Sequence, residues 1–142
     1  LAPFGRPAGD TNAVRDRLYD MMWDDAGIVR TRDSLTRALG ALDELDAALG
    51  EIGLAEQNPA FNLSWHDWLN MENLILVSRA ICHAAMSREN SRGAHFREDF
   101  PEPGDLETSY YTVVKLAEDD LSVATTPVDF TRVRPGETLI TD

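Results

Sequence analysis

The sequence predicts a mainly α-helical fold, a three-helix antiparallel bundle followed by a small C-terminal β-hairpin. Apolar residues recur at helical spacing through the first two thirds of the chain. After Pro101, β-branched and aromatic residues replace that pattern and indicate strands. A chain of 142 residues is long enough for one domain with a buried core.

A linker is expected over residues 1–10, where prolines and glycines alternate. The chain starts without an initiator methionine or a signal-peptide core, which indicates that the linker continues from an upstream domain. The first helix follows Asp10, Thr11 or Asn12, which are all favoured N-cap residues. Its buried face is predicted from apolar residues at helical spacing, and Gly27 is expected to end it. These apolar residues are Val14, Leu18, Met21 and Met22.

The second helix is predicted to start near Asp33 or Ser34 and to end at Gly50 to Gly53. Its apolar residues are spaced by four and three, which produces a narrow seam typical of helical bundles. They are Leu35, Leu39, Leu42, Leu45, Leu49 and Ile52.

The third helix is predicted from Ser64 to Arg88, and its second half is apolar on nearly every side. Such a helix must be covered on more than one face. Two short helices cover only part of it, so the rest contacts either the C-terminal segment or another domain. The three helices together predict a spectrin-repeat-like bundle over residues 11–101.

Residues 102–142 are expected to form a hairpin and an extended tail. The first strand is predicted over Tyr110 to Leu116, Asp119-Asp120 forms the turn, and the second strand starts at Leu121. A further strand is predicted over residues 128–133, before a closing turn at Pro135-Gly136.

Composition excludes several classes of function. A formal net charge of -12 argues against nucleic acid and against anionic lipid as partners. Cys82 is the sole cysteine, so an internal disulfide cannot form, and a reducing, cytoplasmic location is expected. No apolar run reaches the roughly 18 residues of a membrane span, so we expect no direct membrane insertion.

Motifs for cofactor binding and catalysis are missing from the sequence. It contains neither a Gly-x-Gly-x-x-Gly element nor a P-loop, so the chain alone is not expected to hold FAD or another nucleotide. His66 and His83 have no His or Cys at i+3 or i+4 to complete a metal site. Ser91 and His95 are four residues apart, but Gly93 interrupts any helix between them. We therefore assign no catalytic, cofactor-binding or metal-binding residue.

The most informative segment runs from Arg88 to Pro101, where three arginines and a histidine surround Gly93. One interpretation is that the arginines cap the carbonyl groups at the end of the third helix, and composition alone favours it. The other is that Arg92, His95 and Arg97 contact carboxylates of a partner surface, where arginine forms bidentate pairs that lysine cannot.

The segment Ser-Arg-Gly-Ala-His-Phe-Arg-Glu-Asp-Phe-Pro, residues 91–101, resembles an element near the C-terminus of the flavoprotein subunits of succinate dehydrogenase and fumarate reductase. That element reads Glu-Ser-Arg-Gly-x-His-x-Arg-x-Asp-Tyr/Phe-Pro, and L-aspartate oxidase has a related version. Asn90 stands where the family has Glu, and the carboxylate is moved to Glu89. The order of the helices and the turn over residues 26–30 extend the resemblance over most of the chain. The hairpin and the tail near Arg132 are more similar to the succinate dehydrogenase type.

This resemblance implies the C-terminal domain of an FAD-dependent oxidoreductase that interconverts small dicarboxylates such as succinate and fumarate. Its FAD-binding and substrate-binding residues would lie upstream. The domain is then expected to brace the FAD-binding domain of the same chain, and an iron-sulfur subunit is a further expected partner. The expected interface residues are Arg88, Arg92, Gly93, His95 and Arg97.

The resemblance places the parent in the cytoplasm, or at the inner face of the membrane through partner subunits. Two alternatives stay open. One is the C-terminal domain of L-aspartate oxidase, and the other is a free-standing helical interaction module without an enzymatic parent.

Overall fold

The computed structural model describes residues 3–118 and 120–138, and it confirms a helical bundle followed by a hairpin. The helices are α1 (Thr11–Ala26), α2 (Arg32–Glu51) and α3 (Leu63–Ser87). The strands are β1 (Val29–Arg30), β2 (Phe96–Arg97), β3 (Tyr110–Ala117) and β4 (Asp120–Pro127). Helix α2 packs against both α1 and α3. The short connection from α1 to α2 makes these two helices antiparallel neighbours.

Each helix starts at a side chain that bonds free backbone N–H groups. The Asp10 carboxylate accepts from two amides of the first turn of α1. Thr31 and Ser34 form a reciprocal capping box, so α2 starts at Arg32, slightly earlier than the sequence predicted. The Asn62 side chain accepts from the amide of Trp65 at the start of α3.

Helix α1 ends at Gly27 as predicted, and this position requires a glycine for a steric reason. A Cβ atom at this position would lie 2.4 Å from the carbonyl oxygen of Trp23. Gly53 allows a similar approach after α2, because a Cβ there would lie 2.2 Å from the Arg6 carbonyl oxygen. The Gly53 amide instead donates to the Pro7 carbonyl at 2.7 Å. The described part of the predicted linker therefore lies against the bundle; Leu1 and Ala2 are outside the described residues.

The core lies between the three helices and contains most of the predicted seam. Leu39 in α2 and Ile52 just after its end are only partly buried, whereas the other four leucines of the seam are fully buried. The buried apolar side chains of the core include Val14, Leu18, Leu35, Leu42, Leu45, Leu49, Trp68, Met71, Ile75 and Cys82.

The hairpin β3–β4 is antiparallel, with Tyr110 opposite Pro127 and Ala117 opposite Asp120. Of the predicted turn, Asp119 lies outside the described residues. Both strands contact α3, so the C-terminal segment covers part of this apolar helix. The further strand predicted over residues 128–133 is wrong. The Val128 amide donates to the Ser109 carbonyl at the end of the ladder, and residues 128–133, all within the described part of the chain, form no strand.

A short parallel pair, β1 with β2, was not predicted from the sequence. Val29 lies opposite Phe96 and Arg30 opposite Arg97, and the Glu98 amide donates to the Arg30 carbonyl at 2.8 Å. This pair holds the arginine-rich segment against the connection between α1 and α2.

Candidate docking surface

Arg97 lies at the centre of the arginine-rich segment and is completely buried, with 0% of its surface exposed. One of its terminal nitrogens lies 3.1 to 3.2 Å from the carbonyl oxygens of Ala85, Met86 and Arg88, at the end of α3. Its other two nitrogens donate to the two carboxylate oxygens of Asp99, both at 2.7 Å. The interpretation that an arginine caps the third helix is therefore confirmed for Arg97.

Asp99 connects this cap to the start of the second helix. Its carboxylate accepts from the Arg97 side chain and, at 2.8 Å, from the backbone amide of Arg32. The Arg97 hydrogen bonds, assisted by that backbone amide, hold the pKa of the Asp99 carboxyl well below its usual range. An exposed ion pair between Arg32 and Glu89 lies beside it. The segment thus joins the end of α3 to the beginning of α2.

Arg92 and Gly93 form a tight turn within the segment. The backbone amides and carbonyls of Arg92 and His95 bond each other reciprocally, and Gly93 has φ +58° between them. The Arg92 guanidinium donates to the carbonyl oxygens of Pro103 at 2.6 Å and Asp105 at 2.7 Å. Arg92 therefore holds the loop that leads to the hairpin.

His95 is placed by this turn beside Arg30. The Arg30 guanidinium donates to His95 Nδ1 at 3.1 Å and to the Ala26 carbonyl at 3.0 Å. Since a guanidinium only donates, Nδ1 is the acceptor and the ring proton is on Nε2. Burial lowers the pKa of His95, and the positive charges of Arg88, Arg30 and Arg97 lower it further; an interaction with the Arg88 backbone opposes this shift without reversing it. A neutral imidazole results.

Arg88 follows α3 and pairs with the residue that departs from the family element. The Asn90 amide oxygen accepts from two nitrogens of Arg88, at 3.2 and 3.4 Å. The Arg88 guanidinium also lies 5.9 Å from the centre of the Tyr110 ring. Asn90 is buried. Its neutral amide faces the Arg88 cation at the position where the family element has a carboxylate.

A cationic cleft separates the end of α3 from the start of β3. It is lined by Arg30, Ile81, Arg88, His95, Tyr111 and Thr112, among others. Two of its polar atoms, His95 Nε2 and Thr112 Oγ1, are buried and have no hydrogen-bond partner among the described residues. Arg30, Tyr111 and Thr112 were not among the residues expected at the interface. Only the family-like turn over residues 26–30 pointed towards Arg30.

An apolar docking face continues from this cleft along the groove between α1 and α3, and we define it by Tyr19, Trp23, Leu74, Val77 and Ile81. Tyr19 and Leu74 line one groove, and the other three residues lie at successive helical turns beyond them. All five side chains are exposed, Trp23 to 79% and Val77 to 55%. Monomeric proteins rarely leave such contiguous apolar surface uncovered, so the face indicates an interaction site.

Ser91 and Cys82, whose side chains could act as nucleophiles, are hydrogen-bonded or buried within the domain. The Ser91 hydroxyl lies 2.8 Å from the Phe100 carbonyl oxygen and also bonds the backbone of Arg97. Burial raises the pKa of the Cys82 thiol to about 11, so this thiol stays protonated in the core. Within residues 3–118 and 120–138, no three His, Cys, Asp or Glu side chains converge as metal ligands. No helix in the same ranges is long and apolar enough to cross a bilayer.

The family model described as "Fumarate reductase flavoprotein C-term" matches residues 15–139. The fumarate reductase flavoprotein subunit of Mycobacterium tuberculosis is 34% identical over 125 residues, which are 87% of this chain and 21% of that protein. L-Aspartate oxidase of Streptomyces coelicolor is 36% identical over 80% of this chain and 19% of that protein.

The solved structure of the Mycobacterium smegmatis Sdh1 complex in the apo form contains a similar chain. It is 29% identical, with a TM-score of 0.72, over 93% of this chain and 23% of that chain. This chain thus spans about a fifth of the length of each relative. Because the family model covers most of the sequence and the described bundle, this chain belongs to the family of fumarate reductase flavoprotein C-terminal domains.

Proposed function

We propose that this chain is the C-terminal domain of an FAD-dependent oxidoreductase that interconverts small dicarboxylates, and that it braces the FAD-binding part of the same protein. The observation that carries the proposal is the apolar docking face, which no described element covers. Hydride transfer takes place in the FAD-binding part, and this domain contributes packing and orientation. The relatives named as flavoprotein subunits, of whose length the matched part is only about a fifth, support this division.

The interface is centred on the docking face and on the residues at its cationic end. Arg88, Gly93 and His95 lie beside the cleft or at the turn that forms it, and we place them at the interface. Arg92 and Arg97 contribute to the interface indirectly, because their guanidinium groups donate to carbonyl oxygens of this domain and hold the loop in place. The interface role of all five residues is a prediction.

An iron-sulfur subunit is a further proposed partner, and the cytoplasm, or the inner face of the membrane, is the proposed location. The similar Sdh1 chain comes from a structure described as a complex, which supports assembly with other subunits. L-Aspartate oxidase is the second candidate, favoured by the Streptomyces relative. Turnover of the longer protein with fumarate or with L-aspartate separates the two candidates.

A variant of the docking face tests the bracing role in the longer protein. Val77→Asp places a carboxylate in the middle of the face, where covering it by a partner requires its desolvation. Ala48→Asp is the matched control, because Ala48 is an exposed residue of α2 on another side of the bundle. We expect Val77→Asp to lower flavin content and turnover and to open the domain junction to protease. Equal behaviour of the two variants would show that the face is not the interface.

The coding sequence offers an independent test. A reading frame that continues upstream and encodes a Gly-x-Gly-x-x-Gly element after a strand supports the enzyme. A reading frame that encodes this domain alone would support the free-standing interaction module instead.

A further inference from the structure

We propose that the cationic cleft is a carboxylate-binding site, and that it receives an Asp or Glu side chain from the FAD-binding part of the longer protein. This inference rests on the proposed function and gives the interface a specific polar contact.

The charges of the cleft support an anionic occupant. Among the described residues, Arg30 and Arg88 have no carboxylate within ion-pair distance. Half of the described arginines have one, namely Arg15, Arg17, Arg32, Arg37, Arg79 and Arg97. Arg6, Arg92, Arg132 and Arg134 also have none within the described ranges, but they do not line the cleft. The chain has 25 acidic residues against 13 basic ones, so carboxylates are abundant. Two partly buried cations that face one cleft without a counter-charge are costly, and an arriving carboxylate offsets that cost.

The unpartnered polar atoms support an occupant that accepts hydrogen bonds. His95 Nε2 carries the ring proton, because Nδ1 accepts from Arg30. Thr112 Oγ1 supplies a hydroxyl, and both atoms are buried without a partner. A carboxylate only accepts, and its two oxygens can bond these donors and a guanidinium together. An ammonium group would be repelled by the same cations.

The walls of the cleft indicate that the carboxylate is carried by a side chain. Ile81 and Tyr111 supply apolar surface on which the methylene groups of Asp or Glu pack. Ile81 also belongs to the docking face. A partner that covers this face therefore reaches the cleft, so the FAD-binding part is the occupant that fits both surfaces.

Cross-linking in the longer protein tests the site directly. Arg88→Lys places an amine in the cleft, and a carbodiimide joins an amine to a carboxylate in contact with it. Lys115 is the one natural lysine of this chain, so few other cross-links can form from amines within residues 1–142. We expect mass spectrometry to find position 88 joined to an Asp or Glu outside residues 1–142. Arg37→Lys is the positive control, because Arg37 lies 2.6 Å from Asp25 and should link internally.

A link from position 88 only to carboxylates of this domain, in the same or a second copy, overturns the proposal. So does the absence of a link when Arg37→Lys gives one. If Arg88→Lys fails to fold, the unmodified longer protein provides the test through the pKa of His95, measured by NMR and assigned with His95→Gln. A carboxylate in the cleft raises that pKa above the ordinary histidine value.

A His95 pKa that stays below the ordinary value overturns the proposal. A pKa that rises only when phosphate is added would assign the cleft to a free anion and overturns it as well. If Val77→Asp still depletes flavin while neither cleft signature appears, the bracing function stands and the carboxylate site is wrong. If Val77→Asp has no effect, the proposed function itself fails.

Discussion

Replacing Arg97 with alanine should strongly destabilise this domain. The substitution removes a fully buried guanidinium that bonds three carbonyl oxygens at the end of α3 and both oxygens of Asp99. It also removes a cation–π contact, because the guanidinium lies 4.9 Å from the centre of the Phe100 ring. Asp99 keeps its bond from the Arg32 amide, and the Ala85 carbonyl keeps a bond from the Arg88 amide at 3.3 Å, but both lose a charged donor.

The size of the effect follows from these contacts. Hydrogen bonds to charged groups contribute about 1.5–3 kcal/mol each, and breaking a buried pair from one side typically costs about 3–5 kcal/mol. The Asp99 side chain is 29% exposed, so water replaces part of the lost interaction on that side. We therefore expect a loss of roughly 3–5 kcal/mol, a large share of the total stability of a small domain.

Urea denaturation, followed by far-UV circular dichroism, measures this change. Arg37→Ala is the matched control, because the Arg37 side chain is 64% exposed in its ion pair with the partly buried Asp25, and its loss should cost about 1 kcal/mol. Arg97→Lys should lie between wild type and Arg97→Ala, since it keeps the charge but loses the bidentate geometry. Equal stability losses in Arg97→Ala and Arg37→Ala would refute the helix-cap role.

Other predictions concern the core, the pH dependence and the cofactor. Leu42→Ala should cost about 2–5 kcal/mol, whereas Asp43→Ala should stay within about 0.5 kcal/mol, because Leu42 is fully buried and Asp43 is exposed; equal shifts in urea midpoint would contradict the assigned helix face. The pKa of His95 is lower in the folded than in the unfolded state, so the unfolded chain takes up this proton first as the pH falls. The free energy of unfolding should therefore decrease as the pH is lowered past about 6.5. In a pH series of urea titrations, His95→Gln should reduce this decrease. The depressed pKa of Asp99 adds stability above the ordinary carboxyl pKa that is lost as pH falls below about 4, and an acid titration of Asp99→Asn should lack this loss. The purified chain should be colourless, and stoichiometric flavin absorbance would overturn the assignment of the cofactor to the proposed FAD-binding part.

The helices were predictable because local chemistry determines them. The leucine seam of α2, the N-cap at Asp10 and the stop at Gly27 all depend on residues within a turn or two of each other. The hairpin was predictable for the same reason, since its two strands are adjacent in sequence. The starts of α2 and α3 differed from the prediction by only a residue or two, because several polar residues at each site are suitable caps.

The candidate surface was less predictable because its parts are far apart in sequence. The parallel pair of Arg30 with Arg97 consists of two-residue strands, which leave no periodic pattern in the sequence. The spacing of Arg97 and Asp99 was a usable signal for an ion pair, but nothing local shows that the arginine is buried. The exposure of Trp23 also depends on how α1 turns within the bundle, and helical spacing alone did not define that rotation.

The burial of Arg97 also affects what its sequence motif can report. Its guanidinium is fully engaged by the end of one helix and, through Asp99, by the start of another. The motif therefore indicates how the terminal domain is held together, and it does not indicate which molecule the protein oxidises or reduces. Proteins named for fumarate and for aspartate both match this chain at similar identity. Substrate specificity in such proteins should be sought in residues outside the motif.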